Sequence, residues 1–429
     1  MDFDKTPEEI YNETKHYCPL LWNHLHVNTS GDVQPCCMAP FGATLGNLRE
    51  KSLDEVWNGN AMKKARRRLL KDMPLSTCNG CYEKEKSSNW SLRKASIMKY
   101  HDSVKPLLET TEADGTSTDS KPTYWDIRFS NICNMRCRMC GHFSSSKWYN
   151  DAKTLSKNYD NHIYLSGDGD QAIIRAVNDS NDLLSRLDEY LPHVQELYFA
   201  GGEPMLMEEH YRILKRLDDL ELHNTFIRYN TNFLQLYYKD KDIVELWKRF
   251  NNVHCTISVD TYGDRAEILR HDTIWKTIET NIARVKQEVP HVKFNIAPTV
   301  QILNIFSLSD LHQQWCSNGW LGPNDLFLNI LHDPIFYNIK ALPYHLKLAA
   351  KEKLETHLEW LKNNYSDNLY SVTNTINNSI SFMMSEQLDE AHLYELCKQT
   401  SQLDIIRKQN TPSTFPELEY IWSNYANAN

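Results

Sequence analysis

From residue 123 onward, short runs rich in β-branched and aromatic residues alternate with longer stretches whose apolar positions repeat at helical spacing. The strand runs are 124–130, 195–200, 225–231, 253–259, 291–301 and 326–331. That alternation predicts repeated βα units and an α/β fold with a parallel sheet. Six units predict an open, partial (β/α)6 barrel rather than a closed eight-stranded one. The first crossover, 141–194, is long and carries an insertion around 162–171. Beyond 343 the pattern is helical to the end, with an Asn/Ser-rich interruption near 364–380.

The first hundred residues follow a different pattern. An alternating run at 24–27, a Ser30-Gly31-Asp32 turn and a second short run to Cys36 predict a β-hairpin. Ser52 with Glu55 three residues later is a capping box that opens a helix, and another helix is expected over 60–72. Residues 101–122 are rich in Thr, Ser, Asp and Glu with almost no aromatics, which predicts a flexible linker. The expected organisation is therefore a small Cys-rich α+β domain at 1–100, a linker at 101–122, the barrel at 123–342 and a helical segment at 343–429.

Period-2 alternation also sorts the faces of the strands. Trp125, Ile127 and Phe129 share one face of the first, while Asp126, Arg128 and Ser130 share the other. Arg228, Asn230 and Asn232, then Thr256, Ser258 and Asp260, then Lys293 and Asn295 repeat the polar row on later strands. The apolar face must pack on helices, which leaves the polar face for the barrel lumen. A closed barrel fills its interior with aliphatic layers, so a polar lumen implies a ligand-filled one.

Composition narrows the class. Lys and Arg number 47 against 56 Asp and Glu, a formal net charge of −9, which excludes a globally basic nucleic-acid coat. Gly is only 14 of 429 residues, which excludes collagen-like and Gly-rich chains. There is no apolar run of membrane-spanning length, and the start of the chain is acidic without an apolar signal region, so a cytoplasmic protein is expected. The basic stretch 62–72 reads as the solvated face of a helix packed through Met62, Ala65, Leu69 and Met73. His24 and His26 read as packing residues.

The eleven cysteines are informative through their spacing. Cys133, Cys137 and Cys140 follow directly after the first barrel strand, a pattern that chance produces only ~0.007 times in such a chain. Three thiolates in one tight loop suit three irons of a cubane with the fourth iron open; a three-Cys zinc site or buried free thiols are the bland alternatives. The second strand ends in Gly201-Gly202-Glu203-Pro204, where glycines allow close backbone approach to a ligand and a carboxylate suits an amino group. Cys255, Cys316 and Cys397 read as buried thiols.

CxxxCxxC after the first strand, GGEP after the second and the βα repeat together resemble the radical S-adenosylmethionine (SAM) superfamily over about 123–340. The resemblance implies that Cys133, Cys137 and Cys140 ligate a [4Fe–4S] cluster whose open iron is chelated by SAM. It implies further that Gly201, Gly202, Glu203 and Pro204 receive the SAM amino group, and that Asn230 and Ser258 contact SAM from later strand ends. Met139 stands where many members carry an aromatic residue beside the adenine.

Cys18, Cys36 and the Cys78-x-x-Cys81 pair, with the helix between them, resemble the twitch domain, a shortened relative of the SPASM domain. This implies a second, auxiliary [4Fe–4S] cluster on Cys18, Cys36, Cys78 and Cys81, here ahead of the barrel rather than after it. Cys37 is an alternative to Cys36, and zinc held by the same four thiolates is the alternative metal site.

The resemblance implies an enzyme that reductively cleaves SAM and abstracts hydrogen from a peptide residue or a small polar substrate, with electrons from a donor such as flavodoxin or ferredoxin. Asp126, Arg128, Arg228 and Lys293 are the lumen candidates, and their excess of cations over the carboxylates of Asp126 and Asp260 predicts an anionic group on the substrate. A non-catalytic zinc or Fe–S protein that binds nucleic acid or acts as a sensor is the competing class; neither nucleic acid nor membrane is expected as a partner.

Overall fold

The computed structural model describes residues 4–40, 42–87, 91–166, 171–177, 180–366 and 368–426, so residues 167–170 of the expected insertion lie outside the described residues. In chain order the strands are β1 (His24–Val27), β2 (Asp32–Gln34), β3 (Gly46–Asn47), β4 (Tyr124–Ile127), β5 (Arg136–Cys137), β6 (Glu196–Phe199) and β7 (Phe226–Thr231). They continue with β8 (Tyr237–Tyr238), β9 (Lys241–Asp242), β10 (Asn252–Ile257), β11 (Arg270–His271), β12 (Lys293–Ile296), β13 (Thr299–Val300) and β14 (Asn329–Ile330). The fold is mixed α/β, with parallel strand pairs and helices in the crossovers. Two of the expected strands are cut short. Pro298, which has no N–H to donate, separates β12 from β13, and the run at 326–331 keeps only β14, paired in parallel with β13.

The chain divides into two compact units: Met1–Asn131 with Ile173–Arg228 and Arg249–Asn252, and Ile132–Ala172 with Tyr229–Lys248 and Val253–Asn429. This division does not follow the expected boundaries at 100, 122 and 342.

In the first unit β1 turns into β2 as an antiparallel hairpin, with Gly31 at φ 84° in the turn. A side chain there would also run into the carbonyl oxygen of Ala176, so glycine is required twice over. β1 then pairs in parallel with β4, and β4 in parallel with β6. The sheet order β6-β4-β1-β2-β3 thus joins the N-terminal hairpin to the first barrel strands. The capping box at Ser52 and Glu55 is present and opens helix Leu53–Trp57, a feature that contributes about 1 kcal/mol. Helix Asn60–Leu70 buries Met62, Ala65 and Leu69 as expected. Met73 is exposed instead, and Arg66 takes a buried place, donating to the Leu21 carbonyl and lying over Trp57.

The expected linker is ordered structure. Helix Leu92–Glu109 runs through its first half and buries Ile97, His101, Val104 and Leu108 at helical spacing. Beyond it Ser117 and Ser120 are buried, Ser120 Oγ accepting from Trp57 Nε1 at 2.9 Å. Small polar residues that look disordered by composition here complete hydrogen bonds of buried groups.

In the second unit β10 and β12 pair in parallel, and β5 pairs antiparallel with β11. The C-terminal segment is helical over Tyr344–Asn364, Tyr370–Met384, Ala391–Arg407 and Glu419–Tyr425. Most of the expected interruption at 364–380 is helix, because Val372, Ile376, Ile380 and Met383 form one buried stripe while Asn374, Asn377 and Asn378 face out.

Candidate functional site

The three-Cys loop lies in the second unit and is built by pairing distant segments. β5 carries Cys137 and places it opposite Arg270 on β11. Cys137 is buried, and Cys133 and Cys140 are half-buried. The loop backbone is closed by Cys140 N–H donating to the Cys137 carbonyl at 3.0 Å, by Trp148 Nε1 donating to that same carbonyl at 2.9 Å, and by Ser145 Oγ donating to the Met135 carbonyl at 2.6 Å. Arg270 gives Nε and Nη2 to the two oxygens of buried Asp260 at 2.8 and 3.0 Å, and its Nη1 lies 3.7 Å from Cys137 Sγ. A hydrogen bond from Cys140 and the Arg270 charge outweigh burial and bring the Cys137 thiol down to about 7. The same hydrogen bond, with burial, pushes Cys140 up.

The arginines between the cysteines anchor the loop. Arg136 pairs with Asp151 and Asp272, both at 2.9 Å. Arg138, fully buried, reaches Asp404 and Gln409 within and beyond the C-terminal helix Ala391–Arg407, and Arg407 closes on Asp151 at 2.9 Å. These residues lie outside the sequence-based expectations, although two arginines inside a ligand loop already demand carboxylate partners. Asn230 and Ser258 are half-buried at the ends of β7 and β10, whose backbones meet through Ser258 N–H donating to the Thr231 carbonyl at 2.7 Å.

The GGEP turn lies in the first unit. Gly201 and Gly202 have φ of 77° and 46°. A Cβ on Gly201 would stand 2.8 Å from Arg128 Cδ, so Arg128 packs on the side of this glycine where a side chain would stand. Glu203 is buried and accepts from Met205 N–H at 3.1 Å, which fixes its carboxylate at the head of the turn Pro204–Leu206.

Beside it, one face of β1, β4 and β6 carries a row of paired charges. Asp126 accepts from Arg128 Nη2 at 3.1 Å and forms ion pairs with Arg128 Nε at 2.7 Å and His26 Nδ1 at 3.0 Å. Burial acts to raise the Asp126 carboxyl, but Arg128 and His26 override it and hold the group ionised. Arg228 meets Glu196 at 2.8 Å, where Tyr100 and Lys99 also converge, and the Tyr198 ring lies under both guanidinium groups. Among the described residues the lumen-candidate arginines are therefore paired rather than in excess: Asp126 holds Arg128 and Glu196 holds Arg228, and in the second unit Asp260 holds Arg270. Lys293 opens β12 and is exposed, at the opposite end of the strand from the expected site. His26, Glu196 and Tyr198 were missed, yet the same period-2 reading extended to 24–27 and 195–199 marks them.

Cys18, Cys36, Cys78 and Cys81 line one cavity of the first unit together with Leu69, Leu92 and Arg93. Burial first, and then the neighbouring thiols, push Cys18, Cys36 and Cys78 up. Four sulfurs lining one enclosure supply an all-thiolate donor set, so the residues fit an iron–sulfur cluster. Cys37 is exposed, takes no part in that lining and feels the charges of Asp126, Arg128 and Arg228 instead. Cys255, Cys316 and Cys397 are buried thiols, as expected. Among the described residues no three His, Cys, Asp or Glu side chains converge as on a single bare metal ion.

Residues 127–298 match the family model of the radical SAM superfamily, and residues 18–82 match that of an iron–sulfur cluster-binding domain, SPASM. No curated protein matches the chain. Among solved structures, native anSMEcpe with bound AdoMet is 17% identical, with 55% of this chain and 60% of that one covered at a TM-score of 0.37. SuiB of Streptococcus suis bound to S-adenosylmethionine is 12% identical (70% and 63% covered, TM-score 0.38), as is SuiB bound to precursor peptide SuiA (77% and 71%, TM-score 0.38). The chain spans 58–63% of the length of the anSMEcpe structures. Likenesses this distant say nothing of substrate.

Proposed function

We propose that this chain, with residues 127–298 in the radical SAM superfamily and residues 18–82 forming a SPASM-type iron–sulfur cluster-binding domain, takes a hydrogen atom from a peptide residue or a small polar molecule. The two matched domains carry SAM with a [4Fe–4S] cluster, and auxiliary iron–sulfur, as their cofactors. Cys133, Cys137 and Cys140 are the ligands of the first cluster. Cys18, Cys36, Cys78 and Cys81 hold the auxiliary one, and Cys37 is left out. When reduced, the first cluster with SAM supplies a 5′-deoxyadenosyl radical.

The chain's own part is to bind, orient and exclude water. Glu203 offers a fixed carboxylate to the SAM amino group, and Asn230 and Ser258 offer polar contacts from strand ends. Arg128 and Arg228 are balanced by their own carboxylates, so an anionic substrate is not required. Electrons come from a small redox protein such as flavodoxin or ferredoxin. Among the described residues no helix is long and apolar enough to cross a membrane.

The observation that carries this reading is the three-thiol loop with Cys137 buried, hydrogen-bonded and faced by a guanidinium. Anaerobic reconstitution tests it. About eight irons per chain are expected, and about four after Cys133, Cys137 and Cys140 are changed to Ala. Zinc at the remaining four cysteines would refute the auxiliary cluster, and absence of 5′-deoxyadenosine from the reduced protein with SAM would refute the activity.

A further inference from the structure

Arg270 is placed by three independent restraints. Its backbone sits in register with Cys137 across the β5–β11 pair. Its Nε and Nη2 form a two-point fork on Asp260 at 2.8 and 3.0 Å. Asp260 is itself pinned, with Oδ1 accepting from Thr299 N–H at 2.8 Å and its carbonyl accepting from Asn304 Nδ2 at 3.0 Å. A planar guanidinium held by two of its nitrogens has no freedom left in the direction of the third. That third nitrogen, Nη1, is the one 3.7 Å from Cys137 Sγ. Asp260 offsets part of the arginine's charge, so what reaches the sulfur is a directed N–H from a partly compensated cation.

We propose that Arg270, braced by Asp260, is a positioning residue that sets the reduction potential of the cluster held at Cys133, Cys137 and Cys140 by donating to the Cys137 sulfur. The proposal rests on the reading that these three cysteines ligate a [4Fe–4S] cluster. An N–H aimed at a ligand sulfur stabilises the more electron-rich state of a cluster and makes it easier to reduce. A lysine keeps the charge but has no fork with which to hold both Asp260 and the sulfur.

The test is a redox titration of the full reconstituted chain without SAM, followed by the paramagnetic signal that is absent from the variant lacking Cys133, Cys137 and Cys140. Arg270→Gln should move that couple to a more negative potential by at least about 59 mV, a tenfold loss in the one-electron reduction equilibrium. Arg270→Lys, with wild-type iron content and circular dichroism, should move it part of the way. If Arg270→Gln fails to hold the cluster, Arg270→Lys decides alone. A wild-type potential in Arg270→Lys overturns the proposal, whether or not SAM then binds more weakly, because an arginine that serves only SAM leaves the SAM-free potential untouched. Absence of the signal from the wild-type chain itself would instead refute the cluster assignment on which the proposal stands.

Discussion

The two cysteine sets differ in one thiol: Cys137 of the loop is drawn down by its neighbours, while Cys140 beside it and the cavity thiols Cys18, Cys36 and Cys78 are pushed up. In the loop of the second unit, three cysteines sit within eight residues, and one thiol is already drawn down to about 7 by a neighbouring thiol and a guanidinium 3.7 Å away. In the cavity of the first unit, four cysteines come from positions 18 to 81, and three of them are pushed up by burial and by one another. An arginine lines that cavity too, but Arg93 is committed to Glu85 and to the Tyr17 carbonyl. The loop thus has one sulfur faced by a guanidinium committed to it by geometry. Among the described residues the cavity has no cation committed to its thiols, so under the proposed assignment the metal itself supplies the charge that ionises them.

The sharpest way to break this contrast is to remove one sulfur from each set. Cys137→Ala should lose about four irons and leave the other set filled, and Cys81→Ala should do the reverse, as counted by iron and sulfide analysis. Loss of all iron in either variant would show that the sets do not load independently.

The pH dependence of loading should differ next most. Metal binding displaces protons, and each thiol still protonated at the working pH makes loading about tenfold harder per pH unit. Cys137, with its thiol near 7, is largely ionised by about pH 8, whereas Cys18, Cys36 and Cys78 remain protonated well above that. Both sets contain raised thiols, Cys140 in the loop through its hydrogen bond with Cys137 and burial, and Cys18, Cys36 and Cys78 in the cavity through burial. Iron uptake by each should therefore rise from about pH 7 to about pH 9, and more steeply for the cavity set with its three raised thiols against one, measured in the two Cys-to-Ala backgrounds. Equal slopes would contradict the contrast.

Arg93→Gln leaves Glu85 without its partner at the wall of the cavity. It should destabilise the apo chain by about 3 kcal/mol in urea unfolding, the cost of breaking a buried pair from one side. The smallest effect should come from Ser52→Ala, which removes a capping box that lies between Cys36 and Cys78 in sequence but does not line their cavity, and should cost about 1 kcal/mol with no change in iron content.

Much of this site was legible because its signals are local. The CxxxCxxC spacing, the GGEP turn, the hairpin turn at Gly31 and the box at Ser52 are each written in a short window of chain, and each occurs where the chain pattern places it, although distant segments complete the first and third. The alternation on β7 and β10 also matches the alternation of burial along those strands, whereas β4 is buried on both faces beyond Tyr124. What alternation does not contain is the partner across a face. Arg228 looked like spare charge because Glu196 lies on another strand, and Lys293 looked like a lumen residue because its face was right while its end of the strand was not.

Composition failed for a related reason at 101–122. Thr, Ser, Asp and Glu score as disordered unless a distant group needs them, and here Trp57 donates to Ser120 while Val104 and Leu108 are buried on their helix.

Taken by itself, the sequence determined the ligand spacing, the turn chemistry and the order of strands and helices, since those rest on interactions that a short window of chain contains. Only the tertiary structure decided that β1 joins β4, that Arg138 is held by Asp404, and that Arg270 faces Cys137 from 133 positions away. The reason is that a buried charge can be satisfied by any opposite charge that folding brings within hydrogen-bond reach, so the choice of partner is made by register and packing rather than by the residues around it.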